Sequence, residues 1–367
     1  MKAIAVIPGT KTIRIVEREE PHVSDPHQVK VRIVRVGICG TDREEAGGGR
    51  ARAPEGMADL VIGHEMLGRV VEAGKDVQRV KPGDYCVLTV RRGCGTCLPC
   101  LMRRTDMCTT GGFRERGIWG LDGYQAEYIV EDEEYALHVP PELEATGVLT
   151  EPLSVAEKAI DEAVRIQSSR LPDAPATPEF LHGRRCLVAG LGPIGLLAGL
   201  ALRLRGAEVY GLDVVDPGSP RPAWLERIGG RYIDARKIPP DRVDMAAGPM
   251  ELILEATGVP SLAFNLLDAL GVNGVYVLTG IPGGDRPLEI AGADLMRRLV
   301  LRNQVMVGSV NAARDHYQMA LDDLGVAALR WGDHVAKLIT GRHRSSESEN
   351  VLRTHGPEEI KEVIEWN

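Results

Sequence analysis

The segment Gly190-Leu191-Gly192-Pro193-Ile194-Gly195 decides the fold of this 367-residue chain. An apolar run at 185–189 precedes it, and a helix-like run at 194–205 follows it. In such a strand–turn–helix unit the first glycine allows a tight turn, the second lets a pyrophosphate approach the backbone, and the third lets helix and strand pack closely. The helix N-terminus adds N–H donors. The segment therefore predicts a dinucleotide site; an unspecialised helix-capping turn is the alternative.

Asp213 follows the next apolar strand, at 208–212, at the interval where dinucleotide-binding folds carry an acid. A carboxylate there accepts hydrogen bonds from the ribose hydroxyls of NAD and repels the extra phosphate of NADP. No cation follows at 214–216, although Arg221 lies in the same loop. We therefore predict NAD as the preferred cofactor and NADP as the second choice; a plain solvated aspartate is the alternative interpretation.

The pattern of strands and helices continues on the C-terminal side of the glycine turn. Strand-like runs at 252–255 and 275–279 alternate with helix-like runs near 223–228 and 261–270. Buried parallel strands alternating with helices indicate a doubly wound sheet. We predict a dinucleotide-binding domain over 156–311, which the strand-like stretch 299–310 completes.

The chain outside this domain has a different pattern. Residues 29–36 alternate apolar and polar side chains, 67–72 and 85–90 are β-rich, and 81–84 is a turn. Such short strands are typical of small antiparallel barrels. We predict a β-rich domain over 1–155, and we expect the helix and polar loop at 312–367 to pack back on it.

Net charge and the distribution of apolar residues argue against a nucleic-acid-binding protein and a membrane-spanning protein. The net charge is −8, with 44% hydrophobic and 26% charged residues, so a basic nucleic-acid-binding surface is not expected. The longest apolar stretch, 187–204, is broken by glycines, a proline and Arg203, which argues against a membrane span. The N-terminus lacks the basic and apolar regions of a signal peptide, so we expect a cytoplasmic protein.

Four of the seven cysteines, Cys94, Cys97, Cys100 and Cys108, crowd into a lobe at about 93–109. Thiolates at this spacing can close a tetrahedral shell around one ion and leave no position for substrate. We therefore predict a structural zinc. An iron–sulfur cluster also uses four thiolates, and four unliganded thiols are the remaining alternative.

Cys39 and His64 lie apart from that lobe. The run Gly63-His64-Glu65-Met66-Leu67-Gly68, followed by Gly74 and Val77, matches the zinc alcohol dehydrogenase signature at every fixed position. With the four-cysteine lobe and the glycine turn in the same order, the chain resembles the medium-chain dehydrogenase/reductase superfamily over essentially its whole length. The resemblance implies a GroES-like catalytic domain, formed by 1–155 and 312–367, and a Rossmann domain.

The resemblance also implies a second, catalytic zinc, so that we expect two zinc ions per chain. Its ligands would be Cys39, His64 and Glu151, and Glu65 would lie behind them or exchange with one of them. Three protein ligands leave a position for water or a substrate oxygen. Thr41 matches the hydroxyl that passes the proton toward the cofactor ribose; an N-cap for the helix at 41–44 is its structural alternative.

A sharper resemblance is to the glucose dehydrogenase branch of the superfamily. It is carried by the segments 39–44, 90–94, 115–118, 151–158 and 308–311. The branch implies oxidation of D-glucose at C1 to gluconolactone, with hydride transfer to NAD(P). Glu115, Glu157 and Asn311 are the candidate contacts to sugar hydroxyls, and we also assign Thr257, Gly258 and Asn311 to the cofactor site.

Two departures from the branch pattern bear on specificity. Thr110-Gly111-Gly112 stands where Thr-Gly-Glu is expected, so one carboxylate contact to the sugar is missing. Asp213, Val214 and Val215 stand where relatives often carry Asn, Arg and Arg, which shifts the expected cofactor toward NAD.

Two other functions are alternatives to glucose oxidation. One is a polyol, threonine or simple alcohol dehydrogenase of the same superfamily. The other is a zinc- and dinucleotide-binding protein without turnover, against which the retention of Cys39, His64, Glu151 and Thr41 argues. Edge-to-edge pairing of the stretch 299–310 would give a homodimer or homotetramer.

Overall fold

The computed structural model describes residues 1–284 and 287–366. These residues form two compact units. The first contains Met1–Ser154 and the chain from Asn311 onward, and the second is Val155–Val310. Both boundaries lie one residue before the predicted ones.

The strands, in chain order, are β1 (Lys2–Val6), β2 (Ile13–Glu17), β3 (Gln28–Ile38), β4 (Leu60–Val61), β5 (Glu65–Ala73), β6 (Tyr85–Leu88), β7 (Arg91–Arg92), β8 (Arg114–Arg116), β9 (Gly120–Leu121), β10 (Tyr128–Asp132), β11 (Ala136–Val139), β12 (Arg185–Ala189), β13 (Glu208–Asp213), β14 (Arg231–Asp234), β15 (Met250–Glu255), β16 (Leu270–Leu278), β17 (Val305–Gly308), β18 (Ile339–Arg344) and β19 (Lys361–Glu365).

The α-helices are α1 (Gly40–Ala46), α2 (Leu98–Leu101), α3 (Thr150–Arg170), α4 (Pro193–Leu204), α5 (Pro220–Arg227), α6 (Val243–Ala247), α7 (Pro260–Asn265), α8 (Gly292–Leu301), α9 (Arg314–Trp331) and α10 (Ser348–Arg353). No helix of the described ranges is both long and apolar enough to cross a membrane.

The first unit is built on a mixed sheet with the strand order β11-β6-β5-β3-β19-β18, and β10 also pairs with β3. The long strand β3 organises it: apolar side chains such as Val29, Val31 and Ile33 are fully buried. Two three-stranded sheets, β2-β1-β4 and β7-β8-β9, complete the unit. The predicted β-rich domain is confirmed.

The C-terminal part of this unit contains more strand than the sequence predicted. Residues 312–367 were expected to hold helix and polar loop, but β18 and β19 join the central sheet, where β19 pairs antiparallel with β3. In β18, Ile-Thr-Gly-Arg-His-Arg, exposure alternates although only one residue is strongly apolar. A hydrophobic pattern therefore did not mark it as a strand.

The second unit contains a six-stranded parallel sheet with the order β14-β13-β12-β15-β16-β17. Strand β12 leads through the glycine turn into α4, and the order reverses beside β12, which is where such sheets bind dinucleotides. The apolar strands are buried on both faces, as in β12, where Leu187 and Val188 are fully buried. The predicted doubly wound sheet is confirmed.

One predicted strand of this unit is wrong in its extent. The stretch 299–310 begins as the last turn of α8, and only Val305–Gly308 is a strand. The helix ends before Asn303, which has a φ of 48°. An asparagine in this left-handed conformation stops a helix as glycine does, so the apolar residues on its two sides belong to different elements.

Candidate active site

Cys39 lies where β3 ends and α1 begins, and its own backbone contacts hold it there. The Thr41 N–H donates to the Cys39 Sγ at 3.3 Å, and the Cys39 N–H donates to Asp42 Oδ2 at 2.8 Å. The N-cap of α1 is therefore Cys39 and not Thr41, which corrects the alternative role considered for Thr41. The Thr41 side chain lies half-buried in the first turn of α1.

His64 is 4% exposed and directly precedes β5. The preceding Gly63 has a φ of 92°, and a Cβ there would lie 2.5 Å from the Gln125 side chain, so only glycine fits. His64 Nδ1 lies 3.6 Å from Asp42 Oδ1, and neither atom has a hydrogen bond within the described residues. A carboxylate behind one ring nitrogen is the usual support of a metal-binding histidine.

Charge around His64 favours a cationic partner. Burial opposes protonation of the ring, but the charges of Asp42 and Cys39 more than offset burial, so the pKa of His64 is raised well above its ordinary value. A site that stabilises a proton this strongly with anionic groups also suits a divalent cation that replaces the proton.

Glu65, the first residue of β5, contacts a buried lysine. Lys361 of β19 donates to Glu65 Oε1 at 2.7 Å and to the Ile38 carbonyl at 2.9 Å, and both side chains are 2% exposed. A Cβ at Gly37, opposite on β3, would lie 2.1 Å from Glu65 Oε2. Glycine at position 37 therefore makes room for the carboxylate.

The ligand atoms of Cys39, His64 and Glu65 lie within 4.8 Å of one another. Sulfur, imidazole nitrogen and carboxylate oxygen together are a donor set that suits zinc. Two of the three predicted ligands, Cys39 and His64, thus lie together. The third member of the group is Glu65, which was predicted to lie behind the ligands or to exchange with one of them.

Glu151, the predicted third ligand, lies in the first turn of α3 and is buried. It does not belong to that group of ligand atoms. Burial, opposed by His64 and aided by the Glu65 carboxylate, raises the pKa of Glu151 to about 7. The Glu151 carboxyl is thus close enough for its charge to interact with the charges of both residues.

The four lobe cysteines also meet at one point. The sulfur atoms of Cys94, Cys97, Cys100 and Cys108 lie within 4.8 Å of one another, and all four thiols are free. Hydrogen bonds from the Thr110 and Thr96 side chains, with two backbone donors, lower the pKa of Cys94 to about 5. A thiolate is the form that binds metal, and four of them close a tetrahedral shell.

Glu115 and Asn311, which sequence reasoning assigned to the sugar, are brought together by the fold. Asn311 Nδ2 donates to Glu115 Oε1 at 2.7 Å, although 196 positions separate the two residues in the chain. Asn311 adopts a φ of 62°, and its Oδ1 accepts from the Ala312 N–H at 2.8 Å. Its amide is therefore fixed in orientation.

Glu157, the third candidate sugar contact, has a different environment. It is fully buried in the second unit, and its carboxylate accepts from Arg205 Nη2 at 2.6 Å. This ion pair gives the carboxylate an internal partner, so the geometry lends no support to a sugar contact by Glu157.

The glycine turn has the geometry that its sequence predicts. Gly190 has a φ of 91°, and a Cβ on Gly195 would lie 1.8 Å from the Gly190 carbonyl oxygen. Gly192 is the N-cap of α4, followed by Pro193 and Ile194 in the first turn. The positive φ therefore requires the first glycine, and close approach to the Gly190 backbone requires the third; a Cβ on Gly192 would meet no atom within 4 Å, so this position is open to a ligand.

Asp213 lies at the C-terminal end of β13 next to this turn. Its Oδ2 accepts from the Leu191 N–H and its Oδ1 from the Val214 N–H, both at 2.6 Å. These bonds fix the carboxylate at the edge where the adenosine ribose of a dinucleotide binds in such sheets.

A buried carboxylate that sequence reasoning missed organises the other predicted cofactor contacts. Glu255, at the end of β15 and 1% exposed, accepts from the N–H groups of Thr257 at 2.6 Å and Gly258 at 2.9 Å. Gly258 has a φ of 66°. An acid at the end of a buried parallel strand is the signal that could have identified Glu255.

Comparisons with known proteins agree with these features. Residues 25–141 match the family described as "Alcohol dehydrogenase GroES-like domain", and residues 144–366 match "Glucose dehydrogenase C-terminus". The chain is 40% identical to glucose 1-dehydrogenase 2 of Vulcanisaeta moutnovskia, covering 100% of this chain and 99% of that protein. It is also 40% identical to glucose 1-dehydrogenase of Thermoproteus tenax, covering 93% and 92% of the two chains.

A solved structure gives the same result. The chain resembles Haloferax mediterranei glucose dehydrogenase in complex with NADP, Zn and gluconolactone, with a TM-score of 0.89 and 33% identity. The match covers 100% of this chain and 99% of that one.

Proposed function

Because the chain belongs to the glucose dehydrogenase branch of the zinc-dependent medium-chain dehydrogenase/reductase superfamily, we propose that it oxidises D-glucose at C1 to gluconolactone. The hydride passes to NAD(P), and the enzyme uses zinc. The single observation that carries this function is the full-length identity of 40% to a glucose 1-dehydrogenase.

Two metal sites support this chemistry, and we propose one zinc for each. The lobe cysteines hold a structural ion. Cys39 and His64 hold the catalytic ion, and the carboxylates of Glu151 and Glu65 share the third protein position. Support for this sharing comes from the cluster of ligand atoms, which contains Glu65, and from the electrostatic influence of both His64 and Glu65 on Glu151.

When bound, zinc supplies Lewis-acid stabilisation of the negative charge that develops on the sugar oxygen. The side chains around it orient the substrate and move its proton. We assign Thr41 to accept the proton of the C1 hydroxyl, because it lies in the same turn as Cys39. Loss of that proton and departure of the C1 hydride together leave the carbonyl of the lactone.

NAD is the cofactor that we propose as preferred, with NADP as the second choice. Support comes from the Asp213 carboxylate, which two backbone N–H groups hold at the end of β13. A negative charge fixed there attracts ribose hydroxyls and repels a 2′-phosphate. The glycine turn at 190–195 and the Glu255-ordered turn at 257–258 complete the proposed cofactor site.

We also propose a homodimer or homotetramer that forms through the edge of the Rossmann sheet. Strand β17 is the last strand of the six-stranded order. Next to it in sequence, α8 exposes the apolar side chains of Met296 (68%), Val300 (71%) and Leu301 (74%). A second copy that covers this surface would remove both the open strand edge and the apolar patch from water. The free thiols of the lobe fit the cytoplasmic location that we propose.

The function is tested with a panel of aldoses, polyols and primary alcohols, each measured with NAD and with NADP. We expect D-glucose or a close aldose to give the highest kcat/KM, with gluconolactone as the product. Faster turnover of polyols or primary alcohols than of every aldose would overturn the assignment. Binding of NADH by zinc-loaded protein without turnover of any alcohol or sugar would instead favour a non-catalytic role.

A further inference from the structure

Glu115 does not stand alone at the candidate sugar site. Three donors converge on one of its oxygens: Arg91 Nε at 3.0 Å, Arg91 Nη2 at 2.8 Å and Asn311 Nδ2 at 2.7 Å all point to Oε1. In the described part of the chain, no hydrogen bond uses Oε2. Glu115 is thus held in place through Oε1, and Oε2 is available to accept a hydrogen bond from a ligand.

Arg91 itself is tied to the four-cysteine lobe. Its third nitrogen, Nη1, donates to the Asp106 carbonyl at 2.8 Å, and the centroid of the Phe113 ring lies 4.1 Å from the Arg91 guanidinium carbon. Asp106 lies in the short 3-10 helix Thr105–Met107, which directly precedes Cys108. One buried guanidinium therefore joins the metal lobe to the carboxylate at the sugar site.

Bonding to Glu115 and to the Asp106 carbonyl at the same time requires the rigid, planar guanidinium group of arginine. The guanidinium presents donors in fixed directions, so it can hold Glu115 on one side and a lobe carbonyl on the other. A lysine ammonium would carry the same charge but could not span both acceptors. Arg91 is 8% exposed, so bulk water does not replace the lost donors at full strength.

We propose that Arg91 is a positioning residue that aims Glu115 Oε2 at a hydroxyl of the sugar and makes sugar binding depend on the order of the four-cysteine lobe. The proposal rests on the proposed glucose oxidation. It assigns a second role to the lobe metal: besides stabilising the fold, it holds the loop from which Arg91 takes its third hydrogen bond.

The test compares Arg91→Met and Arg91→Lys with wild type in steady-state kinetics. We expect KM for D-glucose to rise about tenfold in Arg91→Met, the effect of losing roughly one charge-assisted hydrogen bond. We expect kcat to stay within about twofold, since the hydride-transfer groups are untouched. Arg91→Lys should restore part of the loss. The Kd of NADH, measured by fluorescence titration, should not change.

Arg103→Met is the matched control. Arg103 is an exposed arginine of the same lobe. Within the described residues, no hydrogen bond or ion pair joins its side chain to Asp106 or Glu115. Its loss should leave KM for D-glucose close to that of wild type, and zinc per chain should stay at two in this variant and in both Arg91 variants.

A double-mutant cycle shows whether Arg91 acts through Glu115. In a Glu115→Ala background, Arg91→Met should raise KM no further, because the carboxylate that it positions is gone. An undiminished effect of Arg91→Met in that background would overturn the proposal, as would an unchanged KM in the single variant. If Arg91→Met does not fold, Arg91→Lys decides: a raised KM with unchanged kcat supports the proposal, and a wild-type KM overturns it.

Failure of the proposed function gives a different result. Wild-type enzyme that oxidises no aldose would refute glucose oxidation before any variant is compared. Wild-type enzyme that oxidises D-glucose, with Arg91 variants that keep its KM, would refute only the positioning role.

Discussion

Cys39 takes part in two interactions at the end of β3: it caps α1 through its sulfur, and it lies with His64 and Glu65 in a group of candidate metal ligands. Losing a cap costs about 1 kcal/mol, whereas losing a ligand of a catalytic metal removes the stabilisation of charge in the transition state. We expect Cys39→Ala to lower kcat by about 10³-fold or more, with near-normal NADH affinity and circular dichroism.

Cys186→Ala is the control for that variant, because Cys186 is a fully buried thiol of β12 and belongs to neither group of candidate metal ligands in the described part of the chain. It should keep full turnover. Near-normal turnover of Cys39→Ala would contradict the open-zinc mechanism.

Asp213→Ala tests cofactor choice at a single carboxylate. Removing the fixed negative charge should raise the ratio of kcat/KM for NADP to that for NAD by about tenfold or more, since repulsion of the 2′-phosphate is lost. Initial rates with each cofactor at saturating glucose measure this ratio. Asp216→Ala is the control in the same loop, because among the described residues the Asp216 side chain accepts a hydrogen bond from the Gly218 N–H of its own turn, at 2.9 Å. An unchanged ratio in Asp213→Ala would mean that Asp213 does not contact the ribose.

Glu131 makes the stability of the first unit depend on pH. Burial opposes its charge, but Arg116 and Arg92 donate to its Oε2 at 2.7 Å and 2.6 Å, and together they lower its pKa to about 2. A folded-state pKa below the unfolded value of about 4.5 adds stability at every pH above 4.5, and this stability is lost as the pH falls toward 2. The shift corresponds to roughly 3 kcal/mol.

Glu131→Gln should therefore be less stable than wild type at pH 7, and the difference in unfolding free energy should shrink as the pH falls from 5 to 3. Urea unfolding of the two proteins at each pH measures this difference. Glu134→Gln, on the surface nearby, should show no such trend. A difference that does not vary with pH would refute the ionic role of Glu131.

Residues that belong to a short motif were predictable, and their partners from distant parts of the chain were not. Cys39 and His64 were found because flanking glycines and acids form a recognisable pattern. Lys361 was missed because it reaches Glu65 across 296 positions, from a strand whose sequence has no motif. Arg91 lies within the segment 90–94 that carries the resemblance, but its proposed role depends on the Asp106 carbonyl of the lobe, and a backbone carbonyl leaves no signature in a sequence.

At the scale of elements, we expect the lobe around α2 to depend on metal for its stability. Apart from the four sulfur atoms it has little core: Leu98, Leu101 and Met102 are 72%, 65% and 69% exposed. A closed zinc site in such a segment supplies the folding free energy that apolar burial does not. Cys97→Ser should reduce zinc from two ions per chain to one and lower Tm by several degrees.

Leu101→Ser, on the same helix but outside the ligand group, should leave both zinc content and Tm close to those of wild type. Metal analysis and thermal unfolding distinguish the two variants. Cys97→Ser protein that keeps two zinc ions and the wild-type Tm would show that the lobe does not bind zinc through Cys97.

Helices and strands were predicted well where the hydrophobic periodicity and the flanking turn residues indicated the same element. The glycine turn fixed β12 and α4 within about one residue, since strand, turn and helix signals coincide there. The stretch 299–310 was misassigned, because a continuous apolar run gives no period that separates the end of α8 from β17. The positive φ of Asn303, which divides them, is a backbone property that asparagine permits but does not require.

At the scale of the whole molecule, the fold class followed from the order of three features: an open-site signature, a four-cysteine lobe and a glycine turn. The division of the chain also follows from this order, because the nucleotide-binding pattern lies inside the β-rich one. The sequence did not predict that β18 and β19 complete the central sheet, because pairing over more than 300 positions depends on tertiary packing.

Assembly is tested on the surface of α8. Val300→Glu or Leu301→Glu places a charge on the exposed apolar patch next to β17, so the proposed oligomer should dissociate, with a lower mass in size-exclusion chromatography coupled to light scattering. Leu329→Glu is the control, because Leu329 of α9 is 90% exposed and lies elsewhere in the chain. Unchanged mass in both α8 variants would exclude this surface as the interface.

The ion pair between Lys361 and Glu65 has a consequence for biosynthesis. During synthesis, Cys39 and His64 leave the ribosome long before β19 is translated. Until then Lys361, which orders Glu65, is missing from the chain. Metal insertion that requires an ordered Glu65 must therefore follow the synthesis of β19. Until then the Cys39 thiol has no bound metal to protect it from oxidation.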